Sequence, residues 1–292
     1  MTRRALVVTH GGREEAVAAT AEAVRELERA GFETVREDEH GTDLAGVEIA
    51  VVLGGDGTIL RAAEVTRGTE IPLLGINLGH VGFLAESERD DIGEAVRRIA
   101  SRQYEVEVRG TLEVRAMPPG GTEPVVRSWA LNEATVEKAD RDRMIEVVVE
   151  VDGRPLSSFG CDGVVMATST GSTAYAFSAG GPVVWPDVDG MILVPVSAHA
   201  LFARPLVVGP QSVLAVEVLT RSTSAGVVSC DGRRRFDLPA GARVEVRRSD
   251  VPVRLARLSR APFADRLVSK FSLPVEGWRG RAPGDPGRAG TP

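Results

Sequence analysis

Cysteine and lysine are both scarce in this chain. Its 292 residues include only Cys161 and Cys230 of the first, and only Lys138 and Lys270 of the second. Two cysteines make no disulfide framework and suit a reducing compartment. No CxxC or HxxxH-type cluster offers zinc a ligand set. The Walker pattern GxxxxGK[ST] does not occur either, so any phosphate site here works without the P-loop lysine. Aromatic residues make up 4% of the chain, and no basic amphipathic helix accompanies them, which argues against a lipid-facing surface. The best apolar run, MILVPVSAHALFA at 191–203, is broken by Pro195 and His199 and is too short to cross a bilayer. The opening MTRRALVVTHGG has too short an apolar run for a signal peptide. A formal net charge of -6 supplies no global basic field for nucleic acid. These absences point to a cytoplasmic protein with neither nucleic acid nor membrane among its partners.

What is present is an ordinary globular composition, 43% hydrophobic and 26% charged, with charge unevenly divided. Residues 1–108 carry 21 acidic and 12 basic side chains, whereas residues 109–292 carry 20 and 23. The patterning divides in the same region. RALVVT (4–9), EIAVVL (48–53) and IPLLGIN (71–77) read as buried strands. Helical spacing covers 14–30, with Val17, Ala21, Val24 and Leu27 on one face, and also 58–67 and 90–100. This rhythm predicts a Rossmann-like α/β domain over 1–103, with a parallel sheet. Short alternating segments such as YEVEVR, TLEVRAM, MIEVVVEV, VLAVEVL, ARVEVRR and VPVRLAR follow, predicting an all-β, β-sandwich-like domain over 104–261. FADRLVSKF (263–271) reads as a short helix within a segment, 262–276, that returns to the first domain. The Gly/Pro/Arg-rich tail, 277–292, has the composition of a disordered segment.

Three stretches have the residue types that chemistry needs. The first is LGGDGT, 53–58, directly behind a strand and ahead of a helix. Gly54, Gly55, Gly57 and Thr58 let backbone N–H groups approach a phosphate, and Asp56 stands where a lysine would be in a P-loop. A carboxylate there serves as a base for an attacking hydroxyl or as a metal ligand. The same pattern also fits a tight turn with Asp56 as the helix N-cap, and spacing alone leaves the two open. The second is DGVVMATSTGSTAYAFSAGGPVV, 162–184, which gathers small hydroxyls around Gly171 and offers Tyr175 for stacking on a base. On its own it also reads as a Ser/Thr-rich loop between strands. The third is Asn132-Glu133, adjacent polar residues ending an apolar strand. His10, His80 and His199 pair with no G-x-S-x-G serine and read as core or loop residues. Arg233–Arg235 reads first as a solvated turn, with phosphate binding as the lesser reading, and the repeated Cys-Asp-Gly at 161–163 and 230–232 as two β-turns.

Taken together, these stretches resemble the NAD kinase family. The matching points are Gly54-Gly55-Asp56-Gly57-Thr58, GINLGHVGFL (75–84), Asn132-Glu133, the 162–182 run, PVSAHALFARPLVV (195–208) and SCDG (229–232), in the family's order. The resemblance implies an active site between the two domains and transfer of a phosphoryl group to the adenosine ribose 2′-hydroxyl of NAD, giving NADP. It implies that Asp56 is the base, with Gly57 against the NAD diphosphate and Arg61 reaching a phosphate. Asn132 and Glu133 would hold ribose hydroxyls and adenine edges, and Asp162 the nicotinamide end. Thr173, Ala174, Tyr175 and Ser178 would line the base pocket, and Arg143 matches a position that is often basic. ATP or inorganic polyphosphate would be the donor. Mg2+ or another divalent cation would be held mainly through donor phosphates rather than by assigned side chains, and the assembly would be a homodimer or homotetramer. Ser169 stands where the family often has proline, and Gly160 where many members are basic. Two other readings of the glycine–aspartate loop are a lipid kinase of the diacylglycerol type and a non-catalytic NADP(H)-binding regulator.

Overall fold

The computed structural model describes residues 2–9, 14–38, 41–79, 82–259 and 263–275. The expectations for His10, His80 and the tail from Gly277 onward lie outside the described residues. The first part of the chain forms β1 (Arg3–Thr9), α1 (Glu14–Arg29), β2 (Phe32–Arg36), β3 (Val47–Leu53), α2 (Asp56–Thr66), β4 (Leu73–Asn77), β5 (Ser87–Glu88) and α3 (Ile92–Ala100). The strands β2, β1, β3 and β4 pair in parallel in that spatial order. Side-chain alternation explains how this sheet buries both faces. Ala5 and Val7 of β1 pack with Ala19, Ala23 and Leu27 of α1 and with Ile92 and Val96 of α3. Leu6 and Val8, pointing the other way, pack with Ile59, Ala62 and Ala63 of α2. The edge strand β2 has no counterpart in the expected pattern. Only Phe32 in it is buried, so it lacks the apolar run that marks the inner strands.

The second part forms β6 (Glu105–Met117), β7 (Val126–Ala130), β8 (Glu133–Lys138), β9 (Ile145–Val151), β10 (Arg154–Cys161) and β11 (Gly163–Thr168). A 3-10 turn at Thr170–Thr173 leads into the one-turn helix α4 (Tyr175–Ser178). Then come β12 (Met191–Val196), β13 (Leu206–Val208), β14 (Val213–Val218), β15 (Gly226–Cys230), β16 (Arg234–Leu238), β17 (Arg243–Arg257) and α5 (Phe263–Phe271). The segments YEVEVR and TLEVRAM are one strand, β6, and ARVEVRR and VPVRLAR are likewise one, β17. A register shift between Ser249 and Val253 bends the long β6–β17 pair. That bend lets β17 serve both halves. Its first half pairs with β14, and near its end Leu255 pairs in parallel with Leu73 of β4. One 11-stranded sheet therefore runs β10-β9-β14-β17-β4-β3-β1-β2 across the molecule, with β5 paired to β4, β6 to β17, and β7 to β6 off that path.

A six-stranded antiparallel sheet, β13-β12-β11-β8-β15-β16, packs over the β-domain half of the large sheet. Val147, Val149, Leu214, Val216 and Val244 from one sheet meet Val136, Val164, Met166 and Val228 from the other. This is the sandwich of two sheets that alternating strands predict. Asn132 and the turn after β11 meet at the edge of this sandwich. Thr168 donates its N–H to Asn132 O (2.9 Å), and its hydroxyl donates to Leu131 O (2.6 Å). At Gly171 a Cβ would stand 2.0 Å from Asn132 O, a backbone atom that cannot swing away. Gly171→Ala is therefore expected to destabilise the fold by about 1–3 kcal/mol or more, as overpacking does. Urea unfolding of the two proteins measures this, and an unchanged midpoint would contradict the packing.

Candidate active site

The carboxyl ends of β3 and β4 and the start of α1 meet at one cleft of about 780 Å3. This is where an open parallel sheet places its ligands. Gly54, Gly55, Gly57, Thr58 and Arg61 line it from the β3–α2 turn, and Asn77, Leu78 and Gly79 from the end of β4. Gly54 takes φ +152° there, and a Cβ on it would strike Thr58 Oγ1 at 2.3 Å. Three arginines border the same space. Arg61 is bound to Glu37 (2.7 Å), and Arg233 to Glu64 through two hydrogen bonds of 3.1 Å each. Arg89 is exposed at the cleft. Arg89 was not identified from sequence, because it lies in no motif, and the Arg233–Arg235 run carried phosphate binding only as a lesser reading. Arg233 in particular reaches the cleft from the β domain.

The structure excludes the N-cap reading of Asp56. The N-cap of α2 is Gly55, and no side chain caps the helix. Asp56 is the first helical residue, and its carboxylate turns instead to the segment after β4. Oδ2 accepts the N–H of Phe83 (3.1 Å), and Oδ1 that of Leu84 (3.1 Å). Gly82 is part of the fit, since a Cβ there would lie 2.3 Å from Asp56 Oδ1. That segment is held in turn by α5. Arg266 donates to Phe83 O (3.2 Å) and pairs with Glu86 (2.6 Å), which also pairs with Arg257 (3.1 Å). The Phe83 ring packs between Phe263 and Phe271 of α5, with centroids 5.9 and 5.8 Å away.

A second group of candidates lies on the small sheet. Asn132 and Glu133 are both buried, and Glu133 Oε2 has no hydrogen-bond partner. Burial is the main cause that pushes the Glu133 carboxyl up to about 8, with Asp231 nearby adding to it and the Tyr175 N–H opposing it. Tyr175 opens α4 half-exposed, and its hydroxyl donates to Glu137 Oε1 (3.0 Å). Thr173 donates its hydroxyl to Thr170 O (3.3 Å), Ala174 caps α4, and Ser178 sits exposed at that helix's end. Asp162 forms an ion pair with Lys138 (2.6 Å), and this bond holds its carboxyl below the usual range. Arg143 contacts Asp140 (3.8 Å) and Thr223 O (3.4 Å), at the loop joining β8 to β9.

The Cys-Asp-Gly at 230–232 is a turn, as its residues suggest, with Asp231 at φ +52° and Gly232 at φ +66°. The Asp231 side chain, however, is only 1% exposed and faces inward. The run Arg233–Arg235 is not uniformly solvated either. Arg234 bonds Asp231 (2.8 Å) and stacks 4.4 Å from the Trp129 ring centroid. Among the described residues no group of three or more His, Cys, Asp or Glu side chains stands ready to hold a metal ion. No described helix is long and apolar enough to cross a membrane.

A glycine–aspartate loop at the carboxyl edge of a parallel sheet, opening a helix, is an arrangement suited to a nucleotide-dependent phosphotransferase. Comparison with known proteins identifies which one. Residues 16–104 match the ATP-NAD kinase N-terminal domain and residues 131–258 the ATP-NAD kinase C-terminal domain. A NAD kinase of Leifsonia xyli subsp. xyli is 60% identical over 95% of this chain and 97% of its own. One from Thermobifida fusca is 61% identical over 91% of this chain and 82% of its own. The crystal structure of an NAD kinase from Archaeoglobus fulgidus in complex with ATP superposes with a TM-score of 0.72. It is 28% identical and covers 92% of this chain and 98% of that one. The chain belongs to the NAD kinase family and is an enzyme of ATP-dependent NAD phosphorylation.

The Glu133 environment yields a pH signature. A carboxyl whose folded value is about 8, against an ordinary 4.5, favours folding below 4.5 and progressively opposes it as pH rises toward 8. Relative to Glu133→Gln, the unliganded wild-type protein should therefore lose stability across that window. Urea unfolding of both proteins at intervals from pH 5 to about 8 checks it. A pH-independent difference would contradict the buried assignment.

Proposed function

We propose that Asp56 is the general base of the reaction and that Asn132 and Glu133 hold the acceptor ribose of NAD. The observation that carries this reading is the Asp56 carboxylate, oriented by two amide N–H groups beside the glycine-lined cleft. A ribose hydroxyl is a poor nucleophile. Phosphoryl transfer is largely dissociative, however, so little proton removal is needed early and positioning supplies most of the rate. Amides that fix the carboxylate's direction contribute to that positioning. Gly57 then lies against the NAD diphosphate, with Gly54, Gly55 and Thr58 forming the cradle around it. Arg61, Arg89 and Arg233 supply positive charge for the phosphates of NAD and of the donor. The donor is ATP, with inorganic polyphosphate as a further candidate. Glu133, buried with one oxygen unpartnered, is suited to bond a ribose hydroxyl. Asp162 with Lys138, and Tyr175 with Thr173, Ala174 and Ser178, form the surface for the nicotinamide and base ends. Arg143 lies beyond them, on the loop after β8.

The residues present fit a divalent cation carried in on the donor. The donor phosphates would hold it for the most part, and Asp56, between the cleft-lining Gly55 and Gly57, would be the nearby carboxylate available to it, since Mg2+ is commonly bound through one or two carboxylates plus substrate phosphates. When bound, it neutralises charge on the phosphates, a task for which this chain has no P-loop lysine. We also place the enzyme in the cytoplasm, in keeping with its two free, buried cysteines. We propose a homodimer or homotetramer, for which the exposed apolar side chains of Leu201 and Phe202 provide contact surface.

Asp56→Asn should still bind NAD but lose about 10²–10⁴ of its turnover. NADP formation from NAD and Mg-ATP, read by a coupled dehydrogenase, measures it, and a wild-type kcat would refute the base assignment. In the same assay excess chelator should abolish activity and added Mg2+ restore it, whereas full activity in chelator would rule out the metal.

A further inference from the structure

We propose that Asp231, backed by Arg234, is the positioning residue of the acceptor site. It sets the backbone of Leu131–Glu133 and joins that loop to the helix that begins with Asp56. The inference rests on reading Asn132 and Glu133 as the acceptor loop and adds what holds them there. Asp231 Oδ1 accepts the N–H of Asn132 (2.7 Å) and of Glu133 (3.3 Å), while Oδ2 accepts that of Leu131 (2.9 Å). Its own N–H donates to Glu133 O (2.9 Å), so the turn and the loop are bonded in both directions. Three successive amides converging on one carboxylate leave the loop little rotational freedom. The arrangement needs an anion-like acceptor on both oxygens, because an asparagine would turn an NH2 group toward at least one N–H.

Arg234 extends this connection across the domains. Its Nη2 donates to Asp231 Oδ2 (2.8 Å), and its Nε forms an ion pair with Glu64 Oε1 (3.3 Å), on α2. The same helix is held at its end by Arg67, whose guanidinium lies 4.1 Å from the Trp129 ring centroid and donates to Ser249 Oγ (3.2 Å). Trp129 precedes the acceptor loop by two residues, and Arg234 stacks on its ring too. The base and the loop that presents the hydroxyl thus belong to one bonded assembly, although they come from different domains. A carboxylate buried this deeply next to Glu133 is unfavourable for the fold in itself. It is offset by the amides and the guanidinium, all of which act on the position of the acceptor loop.

The test uses the full-length enzyme with NAD and Mg-ATP as probes. Asp231→Asn should raise the KM for NAD about ten- to a hundredfold, as expected for lost hydrogen bonds to a buried charged group. The KM for ATP should stay within about threefold. Unchanged KM values, or an equal rise in both, would overturn the proposal, since a purely structural carboxylate has no reason to discriminate between substrates. Should Asp231→Asn fail to fold, Arg234→Lys takes its place, because lysine cannot stack on Trp129 and bond Asp231 and Glu64 together. It should raise the KM for NAD selectively, and an unselective effect would overturn the proposal in the same way. Asn132→Ala separates this inference from the reading beneath it. If that variant leaves the KM for NAD unchanged, the acceptor-loop reading itself fails. If it raises the KM while Asp231→Asn does not, only the positioning role fails.

Discussion

One buried carboxylate organises the junction between the two halves of this enzyme. Asp231 accepts three consecutive backbone N–H groups from residues 131–133, which restrains the backbone of those residues. Much of the local structure follows from that constraint. Asn132 O is fixed where Thr168 N–H can reach it and where only a glycine at position 171 can pass. Glu133 is fixed in a buried position with one oxygen unpartnered, and the proximity of Asp231 adds to the upward shift that burial imposes on it. Two adjacent buried carboxyls are a costly arrangement in a low-dielectric setting. Its persistence here is understandable as a site whose remaining bonding capacity a polar ligand completes.

A second clamp acts at Asp56. Asp56 is directed by the amides of Phe83 and Leu84, and these are held by a network that reaches the end of the described chain. Glu86, fully buried, bonds both Arg257 at the end of β17 and Arg266 on α5. Phe83 inserts among the aromatic rings of α5, and Phe271 also stacks on Phe177 of α4, at 4.6 Å between centroids. The short C-terminal helix therefore touches both the segment that orients Asp56 and the helix that follows the Thr-Gly-Ser-Thr turn. Its contribution is geometric, because none of its side chains lines the glycine cleft.

Several elements of the molecule are legible in its sequence because their signals are local. β1, β3 and β4 are continuous apolar runs, which only strands buried on both faces require, and α1, α2 and α3 carry helical spacing. The sandwich is announced by period-two alternation. The limits are equally physical. β2 is an edge strand with one buried residue, so its sequence contains almost no periodic signal. The union of ARVEVRR with VPVRLAR in β17 depends on a register irregularity opposite β6, which composition does not encode.

At the site, the order of the motifs indicated the chemistry, and LGGDGT, Asn132-Glu133 and the Thr-Gly-Ser-Thr run stood out by residue type alone. The sequence by itself determined which backbone segments are glycine-rich, which carboxyls are available and which family they belong to. It left Asp56 open between a helix cap and a functional group, because both uses favour the same residue after the same glycines. Tertiary structure excluded the cap, by bringing Phe83 and Leu84, 27 and 28 residues away, to the carboxylate. Asp231 and Arg233 stood in quoted stretches, but nothing local marked their partners, the loop about a hundred residues away and Glu64, 169 residues away. Hydrogen bonds and ion pairs of that kind depend on distance in space. Propensity and periodicity report only on neighbours along the chain, so these pairings emerged only when the chain was folded.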